Sequence, residues 1–457
     1  MDKLSLLHMR KQKILDAGKT IRGDISSLVD EDSFVELSAF SFSKNEFYGE
    51  DAEGEGVVTG FATIGDYPFC VVAQNSEVLS GGVSEANCEK IAKCLDQAEK
   101  TSTPVIYLLS TSGVQIGEGV NVLEGLAWLI LECSRLRDKI PQYLVVNGDV
   151  YGQIAILAGL CDFTFFIEKK SVLALNSPLV ISAGSGKNLP KLDVGGAKGL
   201  CGANLATFEV ASLQEVKDTV IKLSDIISVE VDDYENLNEL LPNLDKKADE
   251  KGIISIFDKG SQVELGKSYS PEVKCILGRI GGIAVACAVF CGGDEGVKLN
   301  AQNVRKLRDF AKLACYFNLP YVTFVNTVGA ETTLSANNSL LIREIGEYVS
   351  ILDCMSTAKI SVVYGKAIGL GYTIFAAKSM GYDYTYAFAT SKIALFDSVQ
   401  GAEIEFGSKG NDEKLAKKYA DENSDPINAA KGGYIDNIIQ PSNVKQYLIA
   451  SLQMLIK

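Results

Sequence analysis

Residues 140–177 read IPQYLVVNGDVYGQIAILAGLCDFTFFIEKKSVLALNS, and this stretch decides the fold. Leu144, Val145 and Val146 form a continuous apolar run of the kind found in a strand buried on both faces. Tyr151-Gly152-Gln153 makes a turn, and a small, apolar helical pattern follows. A strand ending in a glycine turn at a helix start leaves backbone N–H groups without partners in the helix. Aimed at an oxygen that gains negative charge, such groups form an oxyanion hole. One such turn alone is ordinary, because most glycines in this position only make the bend.

The pattern occurs twice. AKISVVYGKAIGLGYTIFAAKSMGYDYTYAFATSKIALFDS (358–398) matches the first stretch and sets Gly369 against Gly152. Upstream, GFATIGDYPFCVVAQ, SEANCEKIAKCLDQAEKTSTP and VIYLLSTSG (60–113) correspond to GRIGGIAVACAVFCG, NAQNVRKLRDFAKLACYFNLP and YVTFVNTVG (278–329). Gly65, Pro104 and Gly113 recur at one constant spacing as Gly281, Pro320 and Gly329. Even the lead-ins agree, LVDEDSFVEL (28–37) with IFDKGSQVEL (256–265). The expectation is two homologous domains, 1–245 and 250–457, with the polar DDYENLNELLPNLDKKADEKG (232–252) between them.

Each half gives strand, helix, strand, helix and strand, which is α/β architecture with helices packed on sheets. The helix over 84–100 carries an apolar stripe of Ala86, Cys88, Ile91, Leu95 and Ala98. Its counterpart over 300–317 carries Val304, Leu307, Phe310, Ala311 and Ala314. Trp128, in the apolar helical run LEGLAWLILEC, is expected in the core, and 412–426 as a solvated charged helix and turn.

Bulk properties narrow the function. The 457 residues are too many for one ordinary core. With 47% hydrophobic and 22% charged residues the chain reads as globular, and no apolar run approaches the roughly 18 residues that span a bilayer. MDKLSLLHMRKQK has no apolar stretch of a secretion signal, so a cytoplasmic place is expected, peripheral to a membrane complex if a pump is its partner. A net charge of −14 argues against nucleic acid, which requires a basic face. Eleven scattered cysteines without a C-x-x-C read as buried, reduced thiols, and no metal site is expected. The single histidine, His8, sits in a polar N-terminal segment, which disfavours Ser–His and Cys–His triads.

The chemistry is then sought at four strand-to-helix turns: STSGVQIGEG (110–119), VYGQIA (150–155), NTVGAE (326–331) and AIGLGY (367–372). Two similar holes, one per domain, suit a reaction that develops two oxyanions.

These motifs, in this order, resemble the carboxyltransferase component, beta-subunit type, of biotin-dependent acyl-CoA carboxylases and related decarboxylases. The resemblance covers nearly the whole chain. It rests on IRGDISSLVDEDSFVEL (21–37), GEGVVTGFATI (54–64), QNSEVLSGGVSEANCEKI (74–91), GVQIGEG (113–119), 303–329 and 365–396. It implies two tandem crotonase-like (ClpP/crotonase) domains, the first on the acyl-CoA side and the second on the biotin side. It implies that the turn at Gly152 and Gln153 holds the thioester oxygen as it becomes enolate-like. The turn at Leu370 and Gly371 would hold the biotin ureido oxygen, with the ureido nitrogen taking the proton. Gly113, Gly369, Lys366, Tyr372 and Thr373 would bind the two ligands. No biotinylation sequence and no ATP loop is present, so biotin is expected on a separate carrier protein. The further partners expected are a biotin carboxylase or a membrane decarboxylase subunit. The family's active site lies between two subunits, implying a dimer-based homo-oligomer, often a hexamer.

The chain departs from the family at the turns. A glycine pair and alanine become Gly152, Gln153 and Ile154, and glycine-glycine-alanine-tyrosine becomes Gly369, Leu370, Gly371 and Tyr372. An acidic residue, a glycine and an arginine become Ser110, Ser112 and Gln115. A basic residue before Lys366 is Gly365, and an aspartate is Asn326. Glu118 matches a family position, yet an acid there also suits a helix start. A silent assembly subunit is the alternative that these changes raise. A crotonase-like hydratase or isomerase explains one hole but not the duplication.

Overall fold

A computed structural model of the chain describes residues 2–41, 52–228, 237–337, 339–407 and 412–456. The chain divides into two compact units, Met1–Ile221 and Lys222–Lys457. That division precedes the expected linker. Leu244 is buried with Ile253, Ile256 and Phe257 in the second unit's core, and Asp245 accepts from Ser442 N at 2.9 Å, so this segment packs rather than spans. Residues 229–236 lie outside the described ones.

The first unit contains strands β1 (Val35–Leu37), β2 (Val57–Ile64), β3 (Tyr67–Gln74), β4 (Val105–Thr111), β5 (Gln142–Tyr151), β6 (Phe163–Ile167), β7 (Val172–Ala174) and β8 (Phe208–Val210). They form an eight-stranded sheet in the order β1-β2-β3-β4-β5-β6-β8, with β7 beside β5. The β1–β2–β3 pairs are antiparallel, and from β3 onward the pairs are parallel. The second unit repeats the plan with β9 (Val263–Leu265), β10 (Val273–Ile280), β11 (Ile283–Phe290), β12 (Val297–Leu299), β13 (Tyr321–Ala330), β14 (Lys359–Ile368), β15 (Tyr384–Phe388), β16 (Lys392–Ala394) and β17 (Asn437–Ile439). Its order is β17-β15-β14-β13-β11-β10-β9, with β12 on β13 and β16 on β14. Val105 to Leu109 and Leu144 to Val146 are fully buried, as continuous apolar runs inside covered parallel sheets should be.

The duplication extends to polar contacts. Asp30 accepts from Gly65 N and Asp66 N, both at 3.0 Å, and Asp258 accepts from Gly281 N and Gly282 N at 3.0 and 2.7 Å. Each aspartate thereby pins the turn of an antiparallel hairpin. Lys90, buried, donates to the carbonyls of Gly54 and Val57 at 2.9 and 2.6 Å. Lys306 likewise reaches Tyr269 and Val273 at 2.7 Å each. A buried ammonium needs such acceptors to offset its lost hydration.

Helix Glu85–Thr101 starts where Ser84 accepts from Asn87 N, and it buries Cys88, Ile91, Leu95 and Ala98. Ala86 is only half-buried. Helix Ala301–Tyr316 starts with a capping box of Asn300 and Asn303 and buries all five expected residues. Trp128 departs from expectation: it is 42% exposed, with its indole N–H donating to Glu132 at 2.9 Å. Helix Val120–Leu136 buries Val122, Leu126, Leu129 and Cys133, so Trp128 lies off that face. Helix Glu413–Asn423 is not wholly solvated either; Tyr419 is buried against Gly401, where any β-carbon would clash with its ring.

Candidate active site

In the first unit, β5 delivers the chain to Gly152 at φ 89°, and a 3-10 helix, Gln153–Gly159, follows in place of the α-helix that the pattern suggests. Gly113 (φ 116°) lies against it: a β-carbon on Gly152 would stand 3.9 Å from Gly113 Cα. Positive φ makes glycine the natural residue at both positions. The glycines' own N–H groups are engaged. Gly113 N donates to Thr111 Oγ1 and Gly152 N to the Ala174 carbonyl, each at 3.1 Å. The first bond of the helix is Ala155 N to Gly152 O, so the N–H groups of Gln153 and Ile154 have no acceptor within it. Gln153 is exposed and Ile154 buried.

The second unit builds the same turn. Gly369 (φ 49°) donates to the Ala394 carbonyl at 2.9 Å, while Tyr372 N and Thr373 N both return to Gly369 O. Leu370 and Gly371 therefore carry the N–H groups that head helix Leu370–Phe375. Gly329 N donates to Thr327 Oγ1 at 3.1 Å, repeating the Gly113–Thr111 contact. A β-carbon on Gly329 would sit 3.9 Å from Leu370 N, so glycine leaves that donor reachable.

The two surroundings differ in charge. The second turn opens into a cavity of about 720 Å³ lined by Gly329, Gly369, Leu370, Tyr372, Thr373, Leu395, Gln400, Asn428 and Tyr434, with no charged side chain among the described residues. Tyr372 donates its phenol to the Tyr434 carbonyl at 3.1 Å, and burial, followed by the neighbouring Tyr434, pushes its pKa up. In the first unit, a groove of about 880 Å³ beside the turn is lined by hydroxyls of Ser80, Ser110, Ser112 and Tyr151, together with Lys169, Lys170, Lys191 and Asp149. Lys191 pairs with Asp149 at 2.9 Å and Lys170 donates to Asn147 at 2.8 Å.

Gly369, Leu370, Tyr372 and Thr373 thus meet at one cavity, with Gly371 buried beneath. Gly113, Gly152 and Gln153 meet at the other turn. Lys366 joins neither. It lines a separate groove of mixed charge, with Lys246, Lys251 and Lys392 beside Asp245, Asp249, Glu250 and Asp294, and its ammonium reaches the Glu295 carbonyl at 3.3 Å and Asp397 at 3.8 Å. Leu395 and Tyr434 are cavity residues missed by the sequence reading. The match of LALNS to IALFDS carried a signal for Leu395; no internal repeat covers Tyr434.

Several of the departures from the pattern that the resemblance implies are accommodated locally. Asn326 donates to the Gly293 carbonyl at 2.7 Å and accepts from Lys366 N at 2.9 Å. Gly365 provides its space, since a β-carbon there would lie 2.3 Å from Asn326 Oδ1. Gln115 donates to the Leu79 carbonyl at 3.1 Å across Gly82, and Ser110 fits over Gly148. Glu118 accepts from Glu85 N at 2.7 Å, so it caps the helix Glu85–Thr101. Nearby, Glu55 is only 1% exposed, and burial, then Glu118, push its carboxyl up to about 7 against an opposing Ser84 hydrogen bond.

Among the described residues no cluster of His, Cys, Asp and Glu could hold a metal ion, and no helix is long and apolar enough to cross a membrane. Of the eleven free cysteines, Cys354 is exposed and the others buried or half-buried.

Comparisons with known proteins agree with this duplicated plan. The carboxyl transferase domain family matches residues 15–457. The propionyl-CoA carboxylase beta chain of Saccharopolyspora erythraea is 27% identical, over 99% of this chain and 93% of that one. The methylmalonyl-CoA decarboxylase subunit alpha of Veillonella parvula is 27% identical, over 99% and 96%. The transcarboxylase 12S structure, a hexamer with methylmalonyl-coenzyme A and methylmalonic acid bound, shares the fold with a TM-score of 0.89 at 23% identity, covering 98% of this chain and 94% of that one. With two crotonase-like units matched along nearly its full length, the chain belongs to the carboxyl transferase domain family.

Proposed function

We propose that this chain moves a carboxyl group between biotin, borne on a separate carrier protein, and an acyl-CoA. The observation that carries the reading is the repeated turn, in which Gln153 and Leu370 each present an N–H directly behind a positive-φ glycine. The contrast in charge supports one assignment of the two ends. Three lysines beside the first turn suit an anionic CoA ester, so the first domain (1–245) takes the acyl-CoA. The uncharged cavity at the second turn suits the neutral, planar ureido ring, so the second (250–457) takes biotin.

When bound, biotin supplies a carboxyl group on its ureido nitrogen. The chain's own part is electrostatic. Gln153 N–H stabilises the thioester oxygen as the acyl-CoA becomes an enolate, and Leu370 and Gly371 N–H groups orient the ureido oxygen. Preorganised backbone donors need no histidine, in keeping with a chain whose only histidine is the exposed His8. Gly113, Gly369, Tyr372 and Thr373 shape the two sites, and Lys366 serves an anionic group outside the second cavity.

The relatives include subunits of both a carboxylase and a decarboxylase, and the partner selects the direction: a biotin carboxylase for synthesis, a membrane decarboxylase subunit for ion pumping. A dimer-based homo-oligomer, up to a hexamer, in the cytoplasm and peripheral to a membrane complex in the second case, completes the reading. A silent assembly subunit is disfavoured because both turns keep their positive-φ glycines, Gly152 and Gly369. Reverse transfer from malonyl-, methylmalonyl- or glutaconyl-CoA to biocytin tests the proposal; no turnover by an assembled oligomer together with its carrier would refute it.

A further inference from the structure

Tyr434 presents a large aromatic ring, 64% exposed, at the edge of the second cavity beside Gly369 and Leu370. Its backbone is fixed on both sides. Helix Pro426–Lys431 closes in a Schellman motif, with Gly433 at φ 71° donating to Ala430 O and Tyr434 N donating to Ala429 O, each at 3.0 Å. The Tyr434 carbonyl accepts the Tyr372 phenol at 3.1 Å. The ring itself packs on Gly432, where a β-carbon would lie 2.4 Å from Tyr434 Cε2. A backbone held by these bonds has little freedom left to lose on meeting a ligand.

We propose that Tyr434 is a specificity-determining residue of this cavity, its ring stacking on the flat, neutral heterocycle that the cavity takes. This rests on the function proposed above, in which that heterocycle is the ureido ring. Among the described residues no charged side chain lines the cavity, so selectivity has to come from N–H donors at the turn and from apolar and aromatic surface around it. Leu395, 70% exposed, supplies apolar surface, and Tyr434 supplies the only aromatic ring that is both exposed and cavity-lining among the described residues. The Tyr372 bond ties the backbone that bears the ring to the turn that carries Leu370 and Gly371.

The test is reverse transfer by the assembled full-length chain, varying biocytin and acyl-CoA donor in turn. Tyr434→Ala is expected to raise the biocytin KM about tenfold while moving the donor KM less than about twofold. Tyr434→Phe, which keeps the ring, retains most of the affinity, and Gly432→Ala, which displaces the ring, falls between the two. Saturation-transfer NMR with biocytin gives the same order without turnover, and light scattering shows unchanged assembly. An unchanged biocytin KM in Tyr434→Ala, an equal rise in both KM values, or a change in assembly size instead overturns the assignment while wild-type transfer keeps the carboxyltransferase reading. A wild-type chain that neither transfers carboxyl to biocytin nor binds it overturns both.

Discussion

Gly371 lies so close to Thr327 that a β-carbon on it would stand 2.5 Å from Thr327 Cγ2. The helix carrying the Leu370 and Gly371 N–H groups is therefore seated directly on β13. Gly371→Ala should push these donors out of line and lower kcat for carboxyl transfer about 10²-fold, the scale of losing an oxyanion-hole donor, with the donor KM little changed. Thr327→Ser removes the clashing methyl but keeps the hydroxyl that accepts from Gly329 N and donates to Val297 O. The double variant should recover part of the loss. Steady-state kinetics check this; equal activity of both single-site alanine and wild-type enzymes would separate the turn from catalysis.

Gln153 stands where the resemblance implies a glycine, and it is exposed. Gln153→Gly should preserve or raise turnover of simple acyl-CoAs, because the backbone donor is retained and the site widens. Complete loss of transfer in the folded variant would mean that the amide side chain itself takes part.

Asn326→Asp would introduce the aspartate that the resemblance implies near this position and is nevertheless expected to destabilise this chain. Asn326 is buried, and its amide donates to the Gly293 carbonyl. A carboxylate would face that carbonyl with no proton to give, a cost of about 1–3 kcal/mol for the unsatisfied contact. The urea midpoint of the second unit's transition should fall; an unchanged midpoint would show that Gly365 and Gly293 readjust.

Glu55 gives a pH signature. Its folded-state pKa, about 7, lies above the ordinary 4.5, mainly through burial. The native state then holds a proton that the unfolded chain has lost between pH 4.5 and 7, so this group's contribution to stability falls as pH rises through that window. Glu55→Gln should raise Tm at pH 7.5 and lose the advantage toward pH 5. Lys90, lowered to about 8 chiefly by burial, titrates above this range, which is why the comparison stops at pH 7.5. A pH-independent gain would assign the effect to packing instead.

Much of the fold was legible because a duplicated sequence reports each element twice. The stripe Val304, Leu307, Phe310, Ala311 and Ala314 is buried as its spacing implies, and Gly152 and Gly369 both head positive-φ turns. Polar burial was not legible. Lys90 and Lys306 look like surface residues until the carbonyls around them, far away in sequence, are in place. Trp128 failed for the opposite reason: apolar residues surround its helix on more than one face, and periodicity alone does not say which face is covered. At the site, the turns could be read from glycine spacing, but not which N–H groups are engaged, since that depends on Ala174 and Ala394 in neighbouring strands. Lys366, near Gly369 in sequence, projects to another groove because strand neighbours alternate in direction.

The most direct measurement is biotin-dependent loss of carboxyl from a panel of donors by the purified, assembled chain. Malonyl-, methylmalonyl- and glutaconyl-CoA would be the donors, biocytin and then the natural carrier the acceptors, with wild type and Gly371→Ala compared. The account predicts transfer from at least one donor, strictly dependent on the biotin acceptor and reduced about 10²-fold in the variant. No transfer from any donor, even to the natural carrier, would contradict it.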